Sequence, residues 1–425
     1  MKINSLKLFI ILSTFIFAVN LQSYAQDSEV TFSYNRDLRS SEVYDSRNYM
    51  TGDWGGLRSR LVDLGITPIA RYYTTVLGNP VGGEKKGVQY AGLLNAYLKF
   101  DLEKLLSIKR TKFIVSGSWA SGRSLSNKDI GNFFTASEVF SGRSVLLYQL
   151  FFESELMENV LRVAVGRMGI ADEFSTSEIF YNYVNTAIDG NPISLLINDE
   201  AFFVDPQASW AVRLRAKPVK SFQIMAGVYN SNPAVGRDSA HGVDFSFRKG
   251  VILISEFGYI RNQGSTSKGL PGSYKFGAFY DTRKFKELSN ESKTQRGNYG
   301  FYWIFEQMVY RETLEDDQGF TPWVALTLSP DENINTFPFF ISGGFVYGGL
   351  FPNRNDDNTA FGFAYGSLSD DLDNKDYELM LELTHTFQAT PWLQIQPDMQ
   401  WIVHPDGSSD IPNALVLGMQ MVVDI

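Results

Sequence analysis

Seven charged residues sit inside or beside stretches in which apolar and polar residues alternate: Arg162, Arg213, Arg215, Glu256, Glu306, Glu378 and Glu382. Side chains of a strand point to opposite faces with period two. On a lipid-facing wall an Arg costs about 2–4 kcal/mol at the bilayer midplane, so these charges must face water. Their plain reading is a ladder of mixed charge that keeps a lumen wet. Gln394, Gln396 and Gln400 add a neutral hydrogen-bonding stripe suited to an uncharged solute. A sharper reading gathers part of this wall into a polar eyelet with Arg123, Arg143, Arg167, Asp172, Asp199 and Glu200 from long connections. Arg and carboxylate groups offer bidentate hydrogen bonds to a polar solute.

Other chemistries find little support. The three His residues, His241, His385 and His404, have no Asp or Glu at metal-ligand spacing, and Cys is absent. Metal and thiol sites are therefore not expected, and no cofactor motif appears. His385 is the one candidate for an embedded hydrolase, which needs a Ser and a third polar group beside it. Ser121-Gly122-Arg123-Ser124 and Ser141-Gly142-Arg143-Ser144 read as turns, since neither opens an apolar helix as a phosphate loop does. A net charge of −9 argues against nucleic acid, which wants a basic face.

The strands that must position these groups are clearest between Tyr377 and Ile425. Tyr377, Leu379, Leu381, Leu383 and Phe387 share one side, and Glu378, Met380, Glu382, Thr384 and Thr386 the other. The pattern resumes after Ala389-Thr390-Pro391, with Leu393, Ile395, Met399, Trp401 and Val403 opposite Gln394, Gln396, Asp398 and Gln400. It returns a third time from Leu415 to Ile425. A soluble sheet with one wet face can alternate in this way. These strands are roughly ten to twelve residues long, against a usual five or six, and carry amides and carboxylates at mid-strand. That combination is the signature of an outer-membrane barrel, apolar outside and polar inside. Pro397 donates no ladder bond, and a bulge is expected there.

Lys2 and Lys7 bracket a basic start, Leu8 to Leu21 is apolar, and Ser23-Tyr24-Ala25 is a small-x-small cleavage site. Residues 1–25 are thus read as a signal peptide, too short to span a bilayer. No Cys follows it, so a lipoprotein anchor is not expected. Aromatics make up 14% of the chain, an excess that girdles at both membrane interfaces would use. The expected location is the outer membrane of a Gram-negative bacterium, in contact with its lipid.

Residues 26–65 form an N-terminal segment, polar at first and ending in one short helix. Asp53 is its candidate N-cap, Leu57, Leu61 and Leu64 recur at helical spacing, and Gly65 stops it. It suggests a plug or a periplasmic rim element. Residues 66–425 are all-β, a transmembrane antiparallel barrel. Alternation yields seventeen strand candidates, but bacterial single-chain barrels have even numbers. Sixteen strands are expected, with Val145–Phe152 or Gly242–Phe247 the one to discard. The longest connections, Ser121–Ser144 and Met168–Ala208, are too long for passive loops. They are expected to fold inward and narrow the lumen.

Several motifs now point to one family. Thr51-Gly52-Asp53-Trp54-Gly55-Gly56-Leu57-Arg58, with Leu61 and Gly65, resembles the N-terminal signature of the carbohydrate-selective porins of the OprB type. The resemblance continues through Val165-Gly166-Arg167, Gly227-Val228-Tyr229-Asn230, Glu256-Phe257-Gly258-Tyr259 and Gly297-Asn298-Tyr299-Gly300. It closes on Gly348-Gly349-Leu350-Phe351, Thr390-Pro391-Trp392-Leu393, Gln396-Pro397-Asp398 and Pro405-Asp406-Gly407. It implies a sixteen-stranded barrel that passes sugars passively, without enzyme activity. The chain departs from the family at Phe351-Pro352-Asn353-Arg354 and in ending on Ile425 rather than Phe or Trp. A sugar also wants an aromatic face, for which Trp119, Phe133, Phe134, Tyr181, Tyr183 and Phe202 are candidates, loop packing or a girdle being the plainer role of each. The alternatives are a general or charge-biased porin and, from another class, a barrel enzyme or adhesin. Monomer and homotrimer both remain open.

Overall fold

The computed structural model describes residues 44–140, 142–262, 269–313 and 318–425. Residues 1–25, expected to be a signal peptide, and most of the polar segment after them lie outside the described residues. One short helix, α1 (Leu57–Asp63), precedes the barrel. Sixteen long strands follow: β1 (Ile66–Val81), β2 (Val88–Asp101), β3 (Thr111–Gly122), β4 (Val145–Met157), β5 (Leu161–Met168), β6 (Ser209–Val219), β7 (Phe222–Asn230), β8 (Val251–Arg261), β9 (Gly272–Lys286), β10 (Thr294–Gln307), β11 (Gly319–Leu328), β12 (Phe339–Gly348), β13 (Asn358–Ser367), β14 (Tyr377–Thr390), β15 (Leu393–Val403) and β16 (Ala414–Asp424). Each pairs antiparallel with its chain neighbours, and β16 returns to β1 from Arg71↔Asp424 to Leu77↔Gly418, so the sheet closes. A two-residue strand, Tyr310–Arg311, adds a short pairing to β11 and does not make a seventeenth stave.

Alternation behaves as expected. Leu383 is 45% exposed while its neighbour Glu382 is 1% exposed. An Arg in place of Leu383 puts a charge on the outward face. Urea titration in lipid vesicles should then show stability lower by about 2–4 kcal/mol; an unchanged midpoint would mean that this face does not meet hydrocarbon. Val145–Phe152 is a true strand within β4, and Gly242–Phe247 is in no ladder. The expected bulge at Pro397 is absent. Pro397 pairs with Met419 in unbroken register. Toward β14 the pairing lapses between Thr384↔Asp398 and Phe387↔Ile395 without changing register, and the bulge of that hairpin lies at Gln388–Thr390. A missing donor interrupts a ladder; a bulge needs an extra residue, and none is inserted here.

Connections differ between the two ends. At the end bearing α1 they include the two-residue turns 220–221 and 391–392; at the other they include 123–144, 169–208 and 231–250. Short turns mark the periplasmic end of such barrels and long loops the outer end. The helix is therefore a periplasmic rim element and not a plug. Its Leu57 and Leu64 are exposed; the buried residue is Arg58. Arg58 lies 3.8 Å from the Tyr49 ring centroid and donates to the carbonyls of Gly52, Pro68 and Ile425. The N-cap position is taken by Gly56 in left-handed backbone, where a side chain is strained. Asp53 still serves the first turn, accepting from Ser59 N at 2.8 Å.

Candidate pore constriction

β5 is short. After Met168 the chain turns into the barrel, and residues 169–208 are mostly buried. That loop carries seven carboxylates (Asp172, Glu173, Glu178, Asp189, Asp199, Glu200 and Asp205) and no Lys or Arg. It stays inside because the wall supplies the partners that its backbone and acids need. Glu256 on β8 accepts from Ser175 N at 3.0 Å, and Glu306 on β10 from Ser177 Oγ at 2.6 Å. Lys275 on β9 donates to Thr176 O at 2.5 Å. Glu382 on β14 accepts from Val184 N at 2.6 Å, and Gln396 on β15 donates to Asn182 O at 2.9 Å. Gln400 accepts from Asn185 Nδ2 at 2.8 Å.

The loop 123–144 is held in the same way. Glu378 accepts from Phe133 N and Phe134 N at 2.9 and 2.6 Å. Gln400 Nε2 donates to Ala136 O at 2.9 Å. Thr186 N donates to Thr135 O at 3.0 Å and ties the two loops together. Buried backbone groups must be paired, and here long loops are paired by wall side chains. Arg213, Arg215, Glu256, Glu306, Glu378, Glu382, Gln396 and Gln400 do face inward, but they grip protein. Arg162 instead pairs with Glu155 at 3.3 Å, and Gln394 donates to Gln388 at 2.9 Å, both toward the periplasmic end.

The residues grouped into an eyelet by sequence do not converge. Trp119 is 51% exposed on the outward face. It shares that face with Phe113 and Val115, which are an even number of positions away on β3, and one strand face cannot serve both lipid and lumen. Arg123 and Arg143 are exposed at the outer rim, where Arg143 Nε donates to Gly122 O at 2.6 Å, and Glu200 is exposed as well. Arg167 is buried, donating to Leu147 O and Val235 O at 3.2 and 3.3 Å. Asp172 accepts from Tyr148 and from Gln149 Nε2, the latter at 2.7 Å, and Asp199 pairs with Arg283. These charges form seams between loop and wall. Most of the candidate aromatics pack in the same seams: Phe133 and Phe134 against Phe337, Tyr183 against Trp323, Phe202 against Phe279. His385 is wedged between Phe351 and Phe387, with Thr359 Oγ1 at 2.8 Å from its Nδ1. Its Nε2 lies 3.4 Å from Asp357 Oδ2, and among the described residues no serine is hydrogen-bonded to it.

What the two loops do enclose is a cavity of about 170 Å³. Glu138 and Phe140 line it from one loop; Thr186, Asp189, Asn191, Ile193, Leu196, Val204, Asp205, Pro206 and Gln207 line it from the other. Asn95 on β2 donates to Asp205 at 2.6 Å. Burial raises the pKa of the Asp189 carboxyl to about 8, and burial followed by the charge of Asp189 pushes Glu138 well above the carboxylate range. The pair shares a hydrogen bond, so at neutral pH it retains a proton. Both acids escaped the sequence reading. Asp189-Gly190-Asn191-Pro192 and Asp205-Pro206 are turn sequences, which put polar side chains at loop apices, and that signal was there to use.

The model of the family described as carbohydrate-selective porin, OprB family, matches residues 85–424. Porin B of Pseudomonas aeruginosa is 26% identical over 417 residues, covering 88% of this chain and 90% of that protein. A protein described as putative porin QuiX, from Acinetobacter baylyi, is 23% identical over 415 residues, covering 88% and 92%. The high-pH structure of Pseudomonas putida OprB superposes with a TM-score of 0.83 at 25% identity, over 91% of this chain and 100% of that one. The family match runs from the first outer loop to the closing strand, and the chain belongs to the carbohydrate-selective porins of the OprB family, channels of the Gram-negative outer membrane.

Proposed function

We propose that neutral sugars diffuse passively along a path narrowed by the loops 123–144 and 169–208, and pause at the cavity between them. No covalent step is involved. One observation carries this reading: the cavity combines Glu138, Asp189, Asp205 and Gln207 with the apolar faces of Phe140 and Pro206. A sugar has hydroxyls at its edge and C–H groups on its ring faces, and such a lining serves both. The shared proton lets the Glu138–Asp189 pair donate as well as accept, and lowers its charge for an uncharged solute. Binding must be firm enough to favour entry and weak enough to permit exit.

The test is single-channel conductance of the mature protein in planar bilayers, with glucose and maltose titrated in at pH 6.5 and pH 9.5. Saturable block by a neutral sugar is expected at the lower pH. Glu138→Ala with Asp189→Ala should weaken it about tenfold, the loss of one or two hydrogen bonds. As the pH rises through about 8 Asp189 ionises, and permeability for cations over anions should rise in the native protein but not in the variant. Conductance indifferent to sugars would demote the protein to a general, charge-biased porin. Its acid-rich inward loop makes cations the favoured sign.

A further inference from the structure

β5 leaves the wall at Met168, level with the start of β6 at its partner Ser209, whereas β4 runs on. β4 begins at Val145, beyond its last pairing with β5 at Leu150↔Arg167, and β6 starts at Ser209. The outer part of β4 therefore has no strand on its β5 side. A segment of the loop 231–250 occupies that place. Leu147 N donates to His241 O at 3.0 Å, and a Cβ added to Gly242 would come within 2.0 Å of Leu147 O, so the chain lies flat on the edge of β4. Asn230 Nδ2 donates to Ser246 O, and Asn232 Nδ2 to Ser246 Oγ, both at 2.8 Å. Trp210 Nε1 donates to Asp244 O at 3.4 Å.

The alternation of Gly242–Phe247 is thus real although no ladder forms. Ser246 turns to the wall and Asp244 is half-buried, accepting from Ser246 N at 2.8 Å, while Val243, Phe245 and Phe247 are 57%, 58% and 70% exposed. Phe245 stacks on Trp210 at 5.0 Å, and Trp210 stands on the same outward face of β6 as Val212 and Leu214. The aromatic patch therefore continues the hydrocarbon-facing wall at its outer edge. Charge is sorted above it. Among the described side chains of the loops 123–144 and 231–250, the exposed charges are Arg123, Lys128, Arg143, Arg237, Arg248 and Lys249, all basic. Across the rim, the exposed charges of the loops 329–338, 368–376 and 404–413 are all acids, in a chain whose net charge is −9.

We propose that this patch seats a phosphorylated, multiply acylated lipid of the outer leaflet. Its acyl chains would lie on Trp210, Phe245 and Phe247, and its phosphate would meet Arg248 and Lys249. Aromatic rings favour the level at which chains meet headgroups, and clustered cations favour anionic headgroups. A second copy docked through the same face would oppose one basic rim with another, which like charges disfavour.

Native mass spectrometry of the full mature protein tests this, with bisphosphorylated lipid A, its monophosphorylated form and inorganic phosphate as separate probes. Lipid A with both phosphates should be retained at least tenfold better than the monophosphorylated form, with inorganic phosphate alone not retained. Arg248→Gln/Lys249→Gln and, separately, Phe245→Ser/Phe247→Ser should each lose about tenfold in that retention. Conductance and sugar block should be unchanged in both, which reports intact barrels and keeps this test apart from that of the sugar path. Equal retention by native protein and both variants would overturn the proposal. So would a native oligomer that the Phe245→Ser/Phe247→Ser variant splits while its lipid retention persists, which would make the patch an interface between copies.

Discussion

Replacing Glu378 and Glu382 together by alanine is expected to raise single-channel conductance several-fold and to abolish saturation by sugars. Glu378 accepts from the N–H groups of Phe133, Phe134 and Asp406, the last at 2.8 Å, and Glu382 from those of Val184 and Asn185. Both carboxylates are buried, on one face of β14. Alanine leaves these donors without their acceptors in a place that bulk water does not reach, and each orphaned donor costs about 1–3 kcal/mol. The loops have a cheaper alternative in solvent at the outer end. Packing of Phe134 on Phe337 and Phe340 resists their departure, so a single substitution should act partially. Glutamine at both positions keeps an acceptor and should conserve most of the native conductance. Planar-bilayer recording decides the matter. A double alanine variant with native conductance would show that the aromatic seam, and not the two acids, holds the loops.

The barrel was legible because its signal is local. Period-two alternation from Tyr377 to Ile425 placed Glu382 and Gln400 inward and Leu383 and Trp401 outward, with no knowledge of their partners. The inward loops were legible as lengths, since 40 residues between Met168 and Ser209 have no place in a plain hairpin. What those loops touch was not legible. Asn185 meets Gln400 across 215 positions, and Phe134 meets Glu378 across 244. Such pairs follow from barrel closure, and no window of sequence contains both members. Register alone therefore points the wall acids at solute, whereas Glu256, Glu378 and Glu382 meet loop backbone and Glu306 meets the Ser177 hydroxyl. Gly242–Phe247 shows the converse: its alternation reports one exposed face, which a segment laid on a wall shares with a strand in a ladder. Trp119 is the simpler case: its strand register alone, shared with Phe113 and Val115, puts it on the outward face and out of reach of a sugar in the lumen.

Glu173→Ala should be the most destabilising single change among the inward charges. Arg213 and Arg215 lie two apart on β6, so both point inward, and both are buried. Glu173 reaches up from the loop between them, 3.3 Å from Arg213 and 2.7 Å from Arg215, while Glu153 on β4 pairs with Arg213. The four groups are neutral as a set. Alanine at 173 leaves two guanidinium groups against one carboxylate in a buried site, and breaking such a pair from one side costs about 3–5 kcal/mol. The barrel ladder is untouched, so the loss should appear first as proteolytic opening of the loop 169–208 and then as a lower transition temperature for heat-induced unfolding. Glu173→Gln removes the same charge while retaining one acceptor, and should fall between. The discriminating variant is Glu173→Ala with Arg215→Ala. It restores one cation to one anion, Arg213 to Glu153, and should recover much of the lost transition temperature although it deletes more contacts. A double variant no more stable than Glu173→Ala alone would mean that packing of the Glu173 side chain, rather than charge balance, is what the site requires.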